Sequence, residues 1–125
     1  MGAGGMPWAL ARAVGDRGED VACAHLEAMG WTVLDRNWRC REGELDVVAR
    51  ADELLVFCEV KTRRSQRFGA PVEAVTVPKA RRLRRLAWAW LAEHGLRGEP
   101  FRIDVVGVLC RTGEPPRLQH LQGVA

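Results

Sequence analysis

The chain has little lysine, few cysteines and no long apolar run, and each shortage narrows what the protein can be. Only two of its 19 basic residues are lysines, and the other 17 are arginines. Its four cysteines are widely spaced and form no CxxC pair, which argues against the common zinc sites and favours reduced thiols. The glycine-rich N-terminus has no long apolar stretch, which argues against a signal peptide or membrane span. We therefore expect a cytoplasmic protein that does not act at a membrane.

Length and composition indicate one globular domain. The 125 residues are 47% hydrophobic and 28% charged, as is typical of soluble proteins with an ordinary core. The net charge of +3 says little about nucleic acid, but basic residues cluster at 63–67 and 79–85. Residues 1–12 are predicted to be a disordered N-terminal segment, and residues 13–125 a single domain.

The periodicity of apolar residues predicts two helices and five strands. A helical pattern runs from Trp8 to Met29 and is strongest from Asp16 onward, and a second covers 78–94. Alternating or continuous apolar runs predict strands; these lie at 31–34, 43–48, 54–60, 101–109 and 118–121. The order α-β-β-β-α-β-β predicts an α/β or α+β sheet with helices packed on it.

The second and third strands form a predicted hairpin that brings unlike charges together. If the short loop is centred on its two acidic residues, Asp46 lies directly across from Glu59. Glu59 and Lys61 share a face of the sheet, as do Glu44 and Asp46, because strand side chains alternate. Two carboxylates and an ammonium group on an apolar hairpin are costly unless a metal ion or a phosphate completes the cluster. Lys61 is informative because the chain otherwise avoids lysine, whose compact charge arginine cannot imitate.

Simpler interpretations exist for the same residues. Glu59 and Lys61 could form an exposed ion pair, which contributes at most roughly 1 kcal/mol; the apolar run at 54–60 argues against exposure. Glu19, near the start of the stronger helical segment, could serve only as a partner of the helix dipole. The basic run at 79–85 could be a solvated helix face.

The spacing of Asp46 and the tripeptide Glu59-Val60-Lys61 reads as D-x12-E-x-K, which resembles the PD-(D/E)XK nuclease superfamily, although Leu45 stands where the motif has proline. A set of short motifs resembles the YraN-like family of small bacterial proteins more closely. These motifs are residues 15–19 (GDRGE), 37–39 (NWR), 43–46 (GELD), 57–63 (FCEVKTR), 68–69 (FG) and Lys79. The resemblance covers nearly the whole chain after the first dozen residues.

The resemblance implies a restriction-endonuclease-like fold, with a mixed β-sheet flanked by helices. The archaeal Holliday junction resolvases, which are similar in pattern, are metal-dependent and dimeric, and they carry a helix glutamate that Glu19 would match. We therefore expect Mg²⁺ (or Mn²⁺) as cofactor, DNA as partner and a homodimer, because a small nuclease has little surface with which to hold a duplex.

The residue types suit hydrolysis of phosphodiester bonds. Mg²⁺ prefers oxygen ligands, and it would activate water and neutralise charge on the phosphate. The expected catalytic residues are Asp46, Glu59, Lys61 and Glu19. The expected metal ligands are Asp46, Glu59, the carbonyl of Val60, Glu19 and Glu44. The expected phosphate contacts are Arg39, Arg63, Arg64 and Lys79.

Three hypotheses of function follow. The first is a metal-dependent DNA endonuclease, structure-selective and acting in recombination or repair. The second is a non-catalytic nucleic-acid-binding module on a nuclease-like fold, which binds through the basic run at 79–85 and the loop at 63–67. The third is an adaptor that contacts another protein through Trp88. No motif suggests that the protein reads base sequence.

Overall fold

The computed structural model describes residues 8–64 and 75–124, with side chains from residue 17 onward, and within these ranges it confirms the predicted element order. The elements are α1 (Trp8–Ala28), β1 (Thr32–Cys40), β2 (Gly43–Ala51), β3 (Leu54–Arg63), α2 (Val77–Glu93), β4 (Phe101–Leu109) and β5 (Arg117–Leu121). Residues 8–12 form the beginning of α1. The rest of the N-terminal segment predicted to be disordered, together with Arg67 and the motif at 68–69, lies outside the described residues.

The five strands form one mixed sheet in the order β1-β2-β3-β4-β5. Only β3 and β4 are parallel, and α2 connects them; the other neighbouring pairs are antiparallel. The β2–β3 hairpin turns over two residues, with Ala51 paired to Leu54. Asp52 takes a positive φ of 56°, a left-handed conformation that aspartate tolerates better than most residues. The predicted loop centre is therefore confirmed.

Helix α2 covers one face of the sheet. The Thr76 hydroxyl accepts a hydrogen bond from the Lys79 N–H at the helix start, which satisfies a donor that the helix cannot. Gly95 follows the helix with a φ of 68°, which glycine adopts without strain. The buried residues of α2 are the predicted apolar face, Leu83, Leu86, Ala87, Trp90 and Leu91. This face packs on a cluster that includes Phe57 and Ile103.

Helix α1 covers the opposite face, which gives three layers. Leu26 and Cys23 pack with Val47 in one buried cluster, and Ala22 packs with Val106 in another. Within the described ranges, neither helix is long and apolar enough to cross a membrane.

The regular alternation of side chains fails where β1 and β2 pass each other near Asp46. On β2, Leu45 belongs to the α2-side cluster, whereas Val47 belongs to the α1-side cluster. Asn37, on the neighbouring strand, has a positive φ of 53°, which breaks the extended conformation. The prediction that Glu44 shares a face with Asp46 assumed an uninterrupted strand, and the alternation is interrupted between Leu45 and Val47.

Candidate active site

Asp46 lies on β2 at the point where the strand changes faces. Its Oδ2 accepts a hydrogen bond from the Val60 backbone N–H at 2.8 Å, which fixes the carboxylate against β3. Burial raises the pKa of Asp46, the Val60 hydrogen bond lowers it, and the nearby charges of Glu59 and Glu19 raise it again, to about 7 overall. Asp46 is thus a carboxyl group near the midpoint of its titration at neutral pH, surrounded by other carboxylates.

Glu59 is the buried centre of an ion cluster. The residue is 8% exposed, and its Oε2 lies 3.1 Å from Lys61 Nζ and 2.7 Å from Lys79 Nζ. Burial raises the pKa of Glu59, but the hydrogen bonds and positive charges of Lys79 and Lys61 outweigh it and hold the pKa below the usual range. Glu59 is therefore ionised at neutral pH.

The two lysines share one carboxylate. Burial lowers the pKa of Lys61, but the attraction of Glu59 outweighs this and raises the pKa above the usual value. Burial and the neighbouring Lys61 lower the pKa of Lys79. Glu59 therefore balances two positive groups that repel each other.

Lys79 has a contact that the sequence analysis does not predict. It is expected there as a phosphate contact, and in the structure it also makes the shortest ion pair of the cluster, with Glu59. One signal pointed to this arrangement: the chain has only two lysines, and both end on the same carboxylate. Because lysine is rare in this chain, its two copies are candidates for a shared site.

Glu19 reaches the same site from α1. Its side chain is 16% exposed and its Oε1 lies 3.9 Å from an Arg36 guanidinium nitrogen. It lies close enough to Asp46 for its charge to raise the pKa of that carboxyl group. The predicted helix glutamate therefore belongs to the electrostatic environment of Asp46.

The remaining predicted residues lie around this group. Glu44 pairs with Arg39, whose Nε lies 3.4 Å from Glu44 Oε2 and whose side chain is largely exposed. Arg64 is exposed. Arg63 is half-buried, and its Nε is buried with no hydrogen-bond partner among the described residues. A buried guanidinium N–H without an acceptor is costly, and an anionic group of a ligand would supply one.

The carboxylates of Asp46, Glu59 and Glu19 suit a divalent cation that takes only a few of its ligands from the protein. Among the described residues, no group of three or more His, Cys, Asp or Glu side chains is arranged to hold a metal ion. Mg²⁺, however, is commonly held by one or two carboxylates, waters and substrate phosphates, not by a cage made only of protein ligands. Asp46 and Glu59, with Glu19 nearby, match that arrangement, and a cation there would relieve the repulsion that raises the pKa of Asp46.

Comparison with known proteins matches the part of the chain that carries these residues to one family. The family model described as Uncharacterised protein family UPF0102 matches residues 18–108, a span that includes Glu19, Asp46, Glu59, Lys61 and Lys79. A UPF0102 protein of Beutenbergia cavernae is 57% identical over 112 residues, which are 90% of this chain and 95% of the relative. A UPF0102 protein of Frankia casuarinae is 54% identical over 111 residues, 89% and 94% of the two chains. One of Renibacterium salmoninarum is 51% identical over 111 residues, with the same coverage.

Proposed function

We propose that this chain, which belongs to Uncharacterised protein family UPF0102, acts as a divalent-metal-dependent endonuclease that hydrolyses DNA phosphodiester bonds. This is the family to which its YraN-like motifs pointed. The observation that carries the proposal is the pairing of two acidic side chains, Asp46 and Glu59, with two lysines beside them. The group lies toward the carboxyl end of β3, which is parallel to β4. Open α/β sheets commonly bind ligands beyond the carboxyl ends of such strands.

The electrostatics of the acidic pair support a site for a cation. The pKa of Asp46 is raised to about 7 by burial and by neighbouring carboxylates. Without a bound cation, the ionised form of this side chain is therefore destabilised in the folded protein. Strongly perturbed carboxyl groups of this kind cluster at functional sites. When bound, a divalent cation would supply the charge neutralisation that a scissile phosphate requires.

The chain's own residues provide the remaining chemistry. The Val60 N–H orients the Asp46 carboxylate. Lys61, whose pKa is raised, is a fixed positive charge that would stabilise negative charge developing on the phosphate. Arg63, whose buried Nε has no hydrogen-bond partner in the described part of the chain, would contact a phosphate oxygen of the bound DNA. None of these groups reads a base edge, so we expect selectivity for the shape of the nucleic acid and not for its sequence.

One specific observation favours the second candidate, a non-catalytic nucleic-acid-binding module. Glu59 is already neutralised by two ammonium groups at 3.1 Å and 2.7 Å, so its charge is satisfied without a metal ion. In that case the cluster would hold β3 and α2 together, and the basic surfaces would bind nucleic acid without hydrolysis.

A cleavage assay with matched variants separates the two candidates. The protein is incubated with Mg²⁺ or Mn²⁺ and with single strands, duplexes, flaps and four-way junctions, alongside Asp46→Asn and Lys61→Ala. The control is Asp52→Asn, which makes the same chemical change at the exposed turn of the same hairpin. We expect metal-dependent cutting by the wild type and the control, and at least a roughly hundredfold loss in the two site variants, as for removal of one charge-stabilising group.

A second readout tests the cation without turnover. A ligand that binds only the folded protein stabilises it, by about 2.7 kcal/mol at a hundred times its Kd. We expect Mg²⁺ to raise the Tm of the wild type and of Asp52→Asn, but not that of Asp46→Asn. Equal shifts in all three proteins, together with no cleavage, would reject the nuclease proposal in favour of the binding module.

A further inference from the structure

The outward face of α2 carries three arginines and an exposed tryptophan in one stripe. Arg81, Arg84, Arg85 and Trp88 are spaced i, i+3, i+4 and i+7, so their side chains lie along one side of the helix. All four are exposed, and Trp88 is 55% exposed, an unusual state for the largest apolar side chain. We call these four residues the α2 stripe.

The α2 stripe has an excess of positive charge. The helix contains five basic residues and one acidic residue, Glu93, and the Glu93 carboxylate accepts a hydrogen bond from the Trp38 ring N–H at 2.9 Å. Of the three stripe arginines, only Arg85 has an ion-pair partner among the described residues, with Nε 3.2 Å from Glu42 Oε1. The other two charges are left for a ligand or solvent.

A pocket opens beside the tryptophan end of the stripe. It has a volume of about 470 Å³, and Trp88, Arg85 and Arg97 contribute to its walls, together with Ala89, Ala92 and Glu42, the partner of Arg85. The two alanines leave the pocket wide because they carry only a methyl group. The volume lies within the range of pockets that hold small organic groups, about 300–1,000 Å³.

We infer that this pocket receives an unpaired base of a nucleic-acid strand, with Trp88 as the surface on which the base stacks. The inference rests on the proposed nucleic-acid partner and specifies its form, a strand that is not fully duplex. An indole stacks on any base, and arginines beside it bind the phosphates of the same strand. An apolar peptide could contact Trp88, but it would leave the charges of Arg81 and Arg84 without complementary groups, and for that reason we favour the nucleic acid.

The helix sets the spacing between the pocket and the acidic site. Lys79, which contacts Glu59, precedes Trp88 by nine positions, which corresponds to about 14 Å along the helix axis. One strand of a duplex advances 3.4 Å for each nucleotide, so this path takes at least about four nucleotides. Nine positions also turn the two side chains to opposite sides of the helix, so a strand that reaches both places must pass around α2 and be longer than this minimum.

Binding measurements on a cleavage-disabled protein test the inference. In an Asp46→Asn background without added metal, fluorescence anisotropy compares a labelled blunt duplex with the same duplex carrying a single-stranded overhang. We expect Trp88→Ala to weaken binding of the overhang substrate on the order of tenfold, and to change binding of the blunt duplex by less than about twofold. Trp88→Phe keeps an aromatic ring and is expected to retain most of the affinity.

Two further variants sharpen the result. Met29→Ala removes another exposed apolar side chain, at 41% exposure, and should leave both affinities unchanged. Replacing Arg81 and Arg84 by glutamine should lower the slope of log affinity against log salt by about 2, one for each phosphate contact. Since Trp88 and the arginines are exposed, none of these changes should alter the Tm.

Defined results would overturn the inference. If Trp88→Ala binds both substrates as the parent does, the pocket serves another partner, such as an apolar side chain of a protein. If the variant loses affinity for both substrates equally, Trp88 does not distinguish unpaired bases. The measurement is independent of hydrolysis: a wild type that cuts nothing would reject the nuclease proposal and leave the stacking result intact, and the reverse also holds.

Discussion

Lys79 Nζ lies 2.7 Å from Glu59 Oε2, closer than Lys61 at 3.1 Å. The contact joins the first turn of α2 to the strand that carries the E-x-K pattern. It therefore ties the packing of α2 on the sheet to the electrostatic state of the acidic site. A substitution at the start of α2 should therefore change the electrostatic environment of Glu59.

Lys79→Ala should destabilise the protein by about 1–3 kcal/mol at pH 7, because Glu59 loses a charged hydrogen bond in a buried position. The effect has a defined pH dependence. The pKa of Glu59 is lowered in the folded protein, so this stabilisation is present above the unfolded pKa near 4.5 and is lost as the pH falls through the folded pKa. Urea denaturation from pH 7 to pH 3 measures the difference between variant and wild type.

The control for that experiment is Arg82→Ala, which removes an exposed basic residue of the same helix. Its effect should stay within about 0.5 kcal/mol at every pH. A Lys79→Ala effect that is independent of pH would show that the loss comes from packing of the lysine stem and not from Glu59.

Asp46 should make the protein less stable as the pH rises. Its pKa is about 7 when folded, against an ordinary value of 3.8, so the folded state binds more protons than the unfolded state between those values. Stability from this group is present below about pH 4 and is lost as the pH rises through 7. Without divalent metal, Asp46→Asn should lack this slope and be more stable than the wild type at pH 8, by about 1–3 kcal/mol. Parallel pH profiles for the two proteins would contradict the raised pKa.

Asp104 on β4 is a second buried acid among the described residues, at 0% exposure, and it lies beside the edge strand β5. Arg102 donates two hydrogen bonds to its carboxylate, at 2.7 and 2.9 Å. The His120 ring lies 2.8 Å from the same group, and the Gly123 N–H donates at 3.0 Å. These contacts tie β5 and the residues after it to β4.

Asp104→Asn should therefore cost about 1–3 kcal/mol, since the fully buried position loses the charged acceptor of its hydrogen bonds, while the partly exposed Arg102 remains in contact with solvent. Glu42→Gln is the matched control, because it breaks the half-exposed pair with Arg85. That change should cost less than about 1 kcal/mol. Denaturant midpoints of both variants, measured at pH 7, give the comparison; similar losses in the two would mean that the Asp104 network adds little.

Gly18 marks a tight contact between α1 and β3. A Cβ built at Gly18 would overlap the Thr62 side chain. Replacing a mid-helix glycine with alanine ordinarily stabilises by roughly 0.5–1 kcal/mol. Here we expect Gly18→Ala to destabilise by about 1–3 kcal/mol, because the close-packed interface must open. Thermal unfolding of Gly18→Ala, Thr62→Ala and the double variant tests this: the double variant should lose less than the sum of the single losses.

Local pattern was sufficient for most of the fold. The apolar positions of α2 follow helical spacing and are the residues that are buried. The two-residue turn at Asp52 follows from a short polar interruption between apolar runs. Bringing Asp46 near Glu59 needed only the turn centre, because register in a hairpin is fixed by its loop. Within the described residues, these features depend on neighbours in sequence, so the sequence alone determines them.

Only the tertiary structure decided how distant groups share the site. Whether Lys79 turns toward Glu59 or toward solvent depends on how α2 docks across the sheet, and helical spacing does not specify that rotation. The approach of Glu19 to Asp46 depends in the same way on the docking of α1. Asn37 has a positive φ beside the point near Asp46 where the strand changes faces. Hydrophobic periodicity could not predict it, because the conformation departs from the regular pattern at a single residue. The sequence therefore determined which charged residues the protein has and on which elements they lie. The packing of α1 and α2 on opposite faces determined which of those charges meet, because electrostatic contacts depend on distances in space that sequence spacing does not fix.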